Sequence, residues 1–341
     1  MTSAEENPKQ PKRITIYDVA KVAGVAPSTV SRAFSRPGRV NAQTGQRIRE
    51  IAAELGYRTK PVTSADLGED TNVLAFVVAD ISNPVFAQTM RGFQIEATKN
   101  GYTVLLIDSQ EDDQQERSAI ERVLHLVDGI VLTSSRMSDS SINQIKKVKP
   151  VVAVNRHAVG IPSIVPDTDQ AVHEAVEHLR DLGHQRVTYL SGPAASWADG
   201  MRWRALAKSC EQFGLHLRRV GPNSPTLEGG VRGAKAWLQS PTSAVVCYND
   251  VIAIGFIKAV QTRGFEVPEA VSVIGFDNSV ASFFTTPSLS SIGPPSAKIG
   301  ARAARTLISQ LRHRSTPVAE TQVVPMKLVL RESVGPAHPK F

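Results

Sequence analysis

The chain has 341 residues, 41% of them apolar and 21% charged, which is typical of an ordinary globular protein and excludes a disordered or fibrous one. Its longest apolar run, VLAFVVA at 73–79, is far shorter than the roughly 18 residues that a membrane-spanning helix needs. The net charge of +7 is unevenly placed, because residues 1–60 hold 11 Lys/Arg against 5 Asp/Glu and the rest holds 28 against 27. Such a basic block favours a polyanionic partner.

The first residues of the chain and the two cysteines indicate the cellular compartment of the protein. The first residues, MTSAEENPKQPKR, contain acids and proline and no apolar stretch, which argues against a secretion signal. Cys210 and Cys247 lie far apart and in no metal-binding spacing, which favours buried thiols in a reducing compartment. We therefore expect a cytoplasmic protein with no metal site.

The basic N-terminal part of the chain is predicted to form three short helices. Thr15 and Asp18 have the spacing of a capping box, apolar residues then recur at helical spacing, and Gly24 is a natural stop. Pro27 suits the first turn of a second helix, and Asn41 suits the N-cap of a third. A tight turn between the first two of three helices is the helix-turn-helix plan.

This stretch resembles the DNA-binding headpiece of the LacI family of bacterial transcription repressors. The matching segments are TIYDVAKVAGVAPSTVSRAF at 15–34 and VNAQTGQRIREIAAELGY at 40–57. Spacing, helix stops and charge all agree with the family over about forty-five residues. The resemblance implies that residues 1–60 bind DNA with the second helix in the major groove.

The resemblance also assigns the DNA contacts. Pro27, Ser28 and Arg32 occupy the base-reading positions, and an arginine can fork onto O6 and N7 of guanine. Candidate phosphate contacts are Thr15, Tyr17, Thr29, Ser31 and Asn41. For Tyr17, a plain surface aromatic is the alternative. Ala26 stands where the family has a capping Ser or Thr, so we expect a less firm start for the second helix.

Residues 61–72 are polar, contain proline and glycine, and are predicted to form a hinge or linker. In the family, a short hinge helix in this segment wedges a leucine into the minor groove. Leu67 matches that leucine. However, Asp66 brings a charge that phosphates repel, and the spacing from Tyr57 is one residue longer than in the family. Whether the hinge helix forms therefore stays open.

From residue 73 onward, short apolar runs alternate with helical patterns. The predicted strands are VLAFVV, TVLLI, GIVLT, VVAVN, RVTYLSG, AVVCYN, VSVIGF and MKLVL, with helices such as 84–100 and 168–182 between them. This alternation predicts an α/β fold with parallel sheets. No dinucleotide fingerprint follows a strand, and GPNSPTLEGG lacks the Lys-Ser/Thr pair of a P-loop, so we expect neither a cofactor nor an enzyme.

This part of the chain is similar to the periplasmic-binding-protein-like core of the same family. The matching segments are DISNPVF at 80–86, EHLRDLGHQRVTYLSGP at 177–193, GMRWRAL at 200–206, CYNDVIAIGF at 247–256 and VIGFDN at 273–278. The resemblance implies a core at 73–334 with two lobes and a ligand cleft between them. Lobe 1 would take about 73–168 and 293–318, and lobe 2 about 169–290 and 320–334.

The expected effector is a polyhydroxylated molecule such as a sugar. Arg202 matches the cleft arginine of the family, Asp250 would accept two neighbouring hydroxyl groups, and Phe86 would stack on a sugar ring. The remaining candidates are Asp80, Asn83, Asn155, Arg156 and Asp277. Alternatives are open, since Arg202 also fits a surface arginine and Asp250 also fits the cap of the next helix. Asn83 also fits a turn and helix start, and Asp277 also fits a turn residue.

The resemblance predicts a repressor of sugar uptake or catabolism genes that binds a pseudo-palindromic operator as a homodimer. The tail SVGPAHPKF is too short for a coiled coil, which favours a dimer over a tetramer. No ligand contact is assigned to Pro294 and Pro295, which replace a Gln-containing stretch of the family. The alternatives are a regulator that answers a partner protein or a non-sugar corepressor, and a cytosolic sugar-binding module.

Overall fold

The computed structural model describes residues 14–35, 39–55, 71–313 and 320–338. The chain divides into two compact units, with the boundary between Glu69 and Asp70 inside the predicted linker. In these described ranges, no helix is both long enough and apolar enough to cross a bilayer.

The N-terminal unit contains the three predicted helices, α1 Ile16–Ala23, α2 Pro27–Ser35 and α3 Ala42–Glu54. Before α1, the Asp18 carboxylate accepts hydrogen bonds from the Thr15 backbone N–H at 2.7 Å and from its hydroxyl at 2.6 Å. Gly24 ends α1 in the left-handed conformation, with φ at 66°, where a Cβ would be strained. The small core consists of Val19, Ala20, Ala23, Val30, Ala33, Ile48 and Ala52.

The C-terminal unit has two sheets, and the first one defines lobe 1. Its strands are β1 Val73–Val78, β2 Thr103–Asp108, β3 Gly129–Thr133, β4 Val151–Val154, β5 Ser163–Asp167 and β11 Thr321–Pro325. All are parallel, in the order β11-β5-β4-β3-β1-β2. The helices of this lobe are α4 Pro84–Lys99, α5 Asp113–Val123, α6 Asp139–Lys146 and α11 Ser296–His313.

The second sheet defines lobe 2. Its strands are β6 Arg186–Leu190, β7 His216–Val220, β8 Ala244–Cys247, β9 Ser272–Phe276, β10 Ser290–Gly293 and β12 Lys327–Val329. Their order is β12-β10-β9-β8-β6-β7, and β12 runs antiparallel to β10 while the others are parallel. The helices are α7 Thr168–Asp181, α8 Trp197–Phe213, α9 Leu227–Trp237 and α10 Asp250–Gln261, with a 3-10 turn at Val280–Phe283.

The predicted α/β fold with parallel sheets is confirmed, with two corrections. Four strands were not predicted, namely β5, β7, β10 and β11, because their sequences SIVPD, HLRRV, SSIG and TQVVP are polar or short. The expected lobe boundary is also wrong at one point, since Thr321–Pro325 pairs with β5 in lobe 1 and not with lobe 2. The chain therefore crosses between lobes after β5, after β10 and after β11.

Glycines allow α4 and α11 to pack at close range in lobe 1. A Cβ at Gly92 would lie 1.9 Å from the carbonyl oxygen of Ala297, which is backbone and cannot give way cheaply. We expect Gly92→Ala to lower the free energy of unfolding of the core by about 1–3 kcal/mol or more, measured by urea denaturation. Gly200→Ala in α8 is the control, because no atom lies within 4 Å of its Cβ position. Equal stability of the two variants would contradict the prediction.

Candidate DNA-binding face and effector cleft

One side of α2 packs against α1 and α3, and the other side faces solvent. Val30 and Ala33 are buried against α1 and α3, whereas Ser28, Ser31 and Arg32 are exposed on the remaining surface. Pro27 and Thr29 are half-buried. The helix begins at Pro27 although Ala26 offers no capping side chain, and the Ala26 carbonyl accepts from the Thr29 N–H at 2.8 Å. The side that faces solvent is thus polar and carries a guanidinium.

Three of the five candidate phosphate contacts lie outside α2. Thr15 and Tyr17 lie at the start of α1, and the side chain of Tyr17 is 70% exposed. Asn41 is exposed at the start of α3, where its Oδ1 accepts from the Gln43 N–H at 3.0 Å. Helix N-termini favour phosphate because their first N–H groups point outward. Leu67, the predicted hinge wedge, lies outside the described residues.

The two lobes enclose a narrow cleft with about 600 Å³ of empty space, of which the centre of a water molecule can reach about 50 Å³. Its polar lining residues are Asn83, Thr89, Glu111, Thr133, Ser134, Asn155, Arg202, Tyr248, Asp277 and Ser296. Several of them directly follow the carboxyl ends of β3, β4, β8 and β9, which is where open parallel sheets hold their ligands. Phe86, Val154 and Ile299 add apolar surface.

The centre of the lobe 2 wall is an ion pair between Arg202 and Asp277. Arg202 Nη2 lies 3.2 Å from Asp277 Oδ1, and both side chains are almost fully buried. Arg202 Nη1 donates to the Tyr248 carbonyl oxygen, and the guanidinium lies 4.7 Å from the centre of the Tyr248 ring and 4.5 Å from that of Phe276. Burial raises the pKa of Asp277, and the charge of Arg202 opposes that rise. This geometry excludes a plain surface arginine at residue 202.

One hydrogen bond joins the lobes at this ion pair. Asn83, which follows β1 of lobe 1, donates from Nδ2 to Asp277 Oδ2 of lobe 2 at 3.3 Å. The Oδ1 of Asn83 meanwhile caps α4 by accepting from the Val85 N–H at 3.2 Å. The Asp277 carboxylate therefore has partners in both lobes. A ligand that binds this carboxylate competes with the hydrogen bond from Asn83 that joins the lobes.

The lobe 1 wall contains residues that the sequence did not single out. Glu111 lines the cleft and pairs at 2.6 Å with Arg136, which is outside the lining and also interacts with Tyr248 of lobe 2. Burial raises the pKa of Glu111, and Arg136 opposes the rise. Thr133 Oγ1 is buried and has no partner within the described part of the chain, so a ligand group would satisfy it. The only sequence indication was their position after predicted strands, which most loop residues share.

Two predicted effector residues lie elsewhere, and one lies at the rim. Asp250 is buried and is not among the residues that line the cleft, and it accepts from the Ser279 N–H at 2.7 Å and the Ser291 hydroxyl at 2.6 Å. Arg156 lines no part of the cleft, because it is held by the Ser135 carbonyl and by Asp139, each at 2.8 Å. Asp80 lines the outer mouth.

The alternative interpretation of Asp250 as the cap of the next helix is wrong. Helix α10 is capped by the preceding residue, Asn249, whose Oδ1 accepts from the Ile252 N–H at 2.8 Å. Asp250 instead ties α10 to the loop that follows β9 and to β10. Burial and the nearby charge of Asp277 raise its pKa to about 7. Asp250 therefore anchors the loop that carries Asp277.

The raised pKa predicts a pH-dependent stability. Between about pH 4 and pH 7 the folded core holds a proton on Asp250 that the unfolded chain has lost, so this contribution to stability disappears as the pH rises through 7. Asn resembles the protonated acid, and we expect Asp250→Asn to exceed the wild type in free energy of unfolding at pH 8, by on the order of 2–4 kcal/mol. Urea titrations at pH 5 and pH 8 measure this, with Asp181→Asn as the control. The same pH slope in wild type and Asp250→Asn would contradict it.

The fold and these two sites define a protein that combines a helix-turn-helix unit with a two-lobed small-molecule core. Residues 15–60 match the model for bacterial regulatory proteins of the lacI family, and residues 176–334 match a periplasmic binding protein-like domain. The chain is 30% identical over 333 residues to the HTH-type transcriptional repressor CytR of Escherichia coli (strain K12), which covers 95% of this chain and 97% of that protein. It is 28% identical over 337 residues to the HTH-type transcriptional regulator DegA of Bacillus subtilis (strain 168), covering 96% and 99%.

Solved structures agree in fold. The chain is similar to the Lac repressor dimer bound to operator and the anti-inducer ONPF, with a TM-score of 0.73, 23% identity, and coverage of 95% of this chain and 100% of that one. It is also similar to the CelR–cellobiose complex, with a TM-score of 0.69, 22% identity, and coverage of 94% and 100%. The chain belongs to the lacI family of bacterial regulatory proteins.

Proposed function

We propose that this protein is a cytoplasmic transcriptional repressor that binds a pseudo-palindromic operator as a homodimer and is controlled by a sugar-like effector in the cleft. The observation that carries the proposal is the exposed polar side of α2, with Ser28, Ser31 and Arg32, in a basic helix-turn-helix unit. In the major groove, Arg32 would read guanine while Ser28 and Pro27 contact neighbouring bases. Thr15, Tyr17, Thr29, Ser31 and Asn41 would hold phosphates and set the register.

An exposed apolar surface on the core supports the dimer. Phe283 and Phe284 are 61% and 80% exposed, and Ile81 and Val280 are about half exposed. Ile81 and Val280 line one shallow groove along α4 that takes residues from both lobes. Large apolar patches on a protein surface are typical of contact sites. A second copy that covers this surface would supply the second headpiece that a pseudo-palindromic operator requires.

The cleft would recognise the effector by replacing hydrogen bonds that the lobes now share. Asp277 suits a pair of neighbouring hydroxyl groups, Thr133 lacks a described partner, and Phe86 offers a ring face to sugar C–H groups. Occupation of Asp277 would compete with its bond to Asn83 and so alter the lobe arrangement. The effector shifts DNA affinity only as far as it prefers one arrangement over the other.

A second candidate is a regulator controlled by a partner protein or by a non-sugar corepressor. The observation that favours it is the mutual neutralisation of the charged groups around the cleft. Arg202 is paired with Asp277, and Arg136 with Glu111, before any ligand arrives. A cleft satisfied in this way has less to gain from a polar ligand.

Selection of genomic fragments by the purified protein, followed by footprinting at two salt concentrations, tests the function. We expect symmetric half-sites and a steep loss of affinity with salt, because several phosphates are neutralised. Calorimetry with a panel of sugars then tests the effector, with Asp277→Asn as the matched variant. Only diffuse binding would favour a sugar-binding module, and a clear operator without any sugar response would favour the second candidate.

A further inference from the structure

A second depression, the hinge groove, lies where the chain passes between the lobes. It encloses about 1000 Å³, including the part open to solvent, and Pro294, Pro295, Lys298, Arg302, Pro325 and Lys327 are among its lining residues. Pro294 and Pro295 join β10 of lobe 2 to α11 of lobe 1, and Pro325 ends β11 just before β12. Two of the three crossing segments therefore form its walls.

The hinge groove carries three positive charges and no negative one. Lys298 and Arg302 are four residues apart on α11, which places them on one face of the helix, and Lys327 lies opposite Gly293 at the start of β12. All three are exposed, none forms an ion pair within the described part of the chain, and no carboxylate lines the groove. Like charges gathered in one concavity repel each other and attract a multivalent anion.

We propose that the hinge groove binds a small, multiply charged oxyanion, either inorganic pyrophosphate or a phosphorylated metabolite. Lysine and arginine are the side chains that hold phosphoryl oxygens, as point charge and as fork respectively. Because Lys298 and Arg302 come from lobe 1 and Lys327 from lobe 2, one anion would contact both lobes at once. The anion therefore favours the lobe arrangement in which the three cations converge.

The hinge groove lies next to the effector cleft. Pro294 lines both cavities. Asn278 lines the groove while the preceding residue, Asp277, lines the cleft. Gly293 fixes this loop closely, since a Cβ there would lie 2.4 Å from the Cβ of Asn278. Anion and effector would thus alter each other's affinity, a consequence that rests on the proposed function, whereas anion binding itself does not.

Isothermal titration of the full chain with pyrophosphate, at fixed ionic strength and without DNA, tests the site. We expect a site that is weakened about tenfold or more in Lys298→Gln/Lys327→Gln, because two charge-assisted contacts are lost. The control is Lys147→Gln/Lys208→Gln, which removes two exposed lysines, one from each lobe, away from the groove. Circular dichroism spectra of both variants check that they are folded.

Loss of affinity in the groove variant alone supports the site, and tighter binding of ribose 5-phosphate than of pyrophosphate would identify a metabolite as the occupant. Equal affinity in the groove and control variants would show that the anion binds outside the hinge groove and would overturn the proposal, as would no binding at millimolar pyrophosphate. Operator footprinting tests the proposed function independently of pyrophosphate binding. If pyrophosphate does not bind, the proposed function is therefore not contradicted.

Discussion

Arg32→Ala is expected to abolish selective operator binding while leaving weak, general DNA binding nearly intact. A bidentate arginine–guanine contact is worth about 1–3 kcal/mol, and a dimer makes it twice, so the loss is about 2–6 kcal/mol per operator. Arg32 is exposed on the side of α2 that faces away from the headpiece core, so truncation leaves the fold in place. Gel-shift titrations against operator and scrambled DNA at one salt concentration measure the difference.

Two further variants distinguish a base contact of Arg32 from a general effect of its positive charge. Arg32→Lys keeps the charge but loses the fork, and we expect most of the selectivity to vanish with it. Arg49→Ala removes an exposed arginine from α3 and should weaken operator and scrambled DNA by similar, smaller factors. If Arg49→Ala and Arg32→Ala lowered operator affinity equally, Arg32 would be a phosphate contact and not a base reader.

Arg202→Met is expected to destabilise the core by about 3–5 kcal/mol and to remove its response to the effector. The substitution keeps an unbranched side chain near the rings of Tyr248 and Phe276 but leaves the buried Asp277 carboxylate without its cation. Because burial already raises the pKa of Asp277, the lost cation should raise it further, so the deficit should be larger at pH 8 than at pH 5. Urea denaturation at both values measures this.

The double variant Arg202→Met/Asp277→Asn tests whether the unpaired charge of Asp277 causes the loss of stability. Asp277→Asn removes the orphaned charge, and we expect Arg202→Met/Asp277→Asn to recover much of the lost stability without recovering the effector response. A double variant no more stable than Arg202→Met would show that Arg202 acts through packing alone. Retention of the sugar response in Arg202→Met would count against the cleft as the effector site.

The headpiece could be predicted from the sequence because its determinants are local. The Thr15–Asp18 pair, the stop at Gly24 and the apolar spacing of α1 all act within a few residues of one another. The α/β alternation of the core was equally readable where strands were apolar. The prediction missed β7, whose sequence HLRRV lies partly exposed at a sheet edge. It also missed β11, whose polar sequence TQVVP pairs with β5 across more than 150 residues.

By itself, the sequence determined the class of protein, the order of its two units and the arginine at the centre of the cleft. The tertiary structure alone decided which way each strand-end side chain faces. Asp250 turns to Ser279 and Ser291, 29 and 41 residues away, and Arg136 turns toward Glu111. Each of these orientations depends on a buried charge lying beside a partner that is distant in the sequence. The spacing of residues along the chain does not identify that partner.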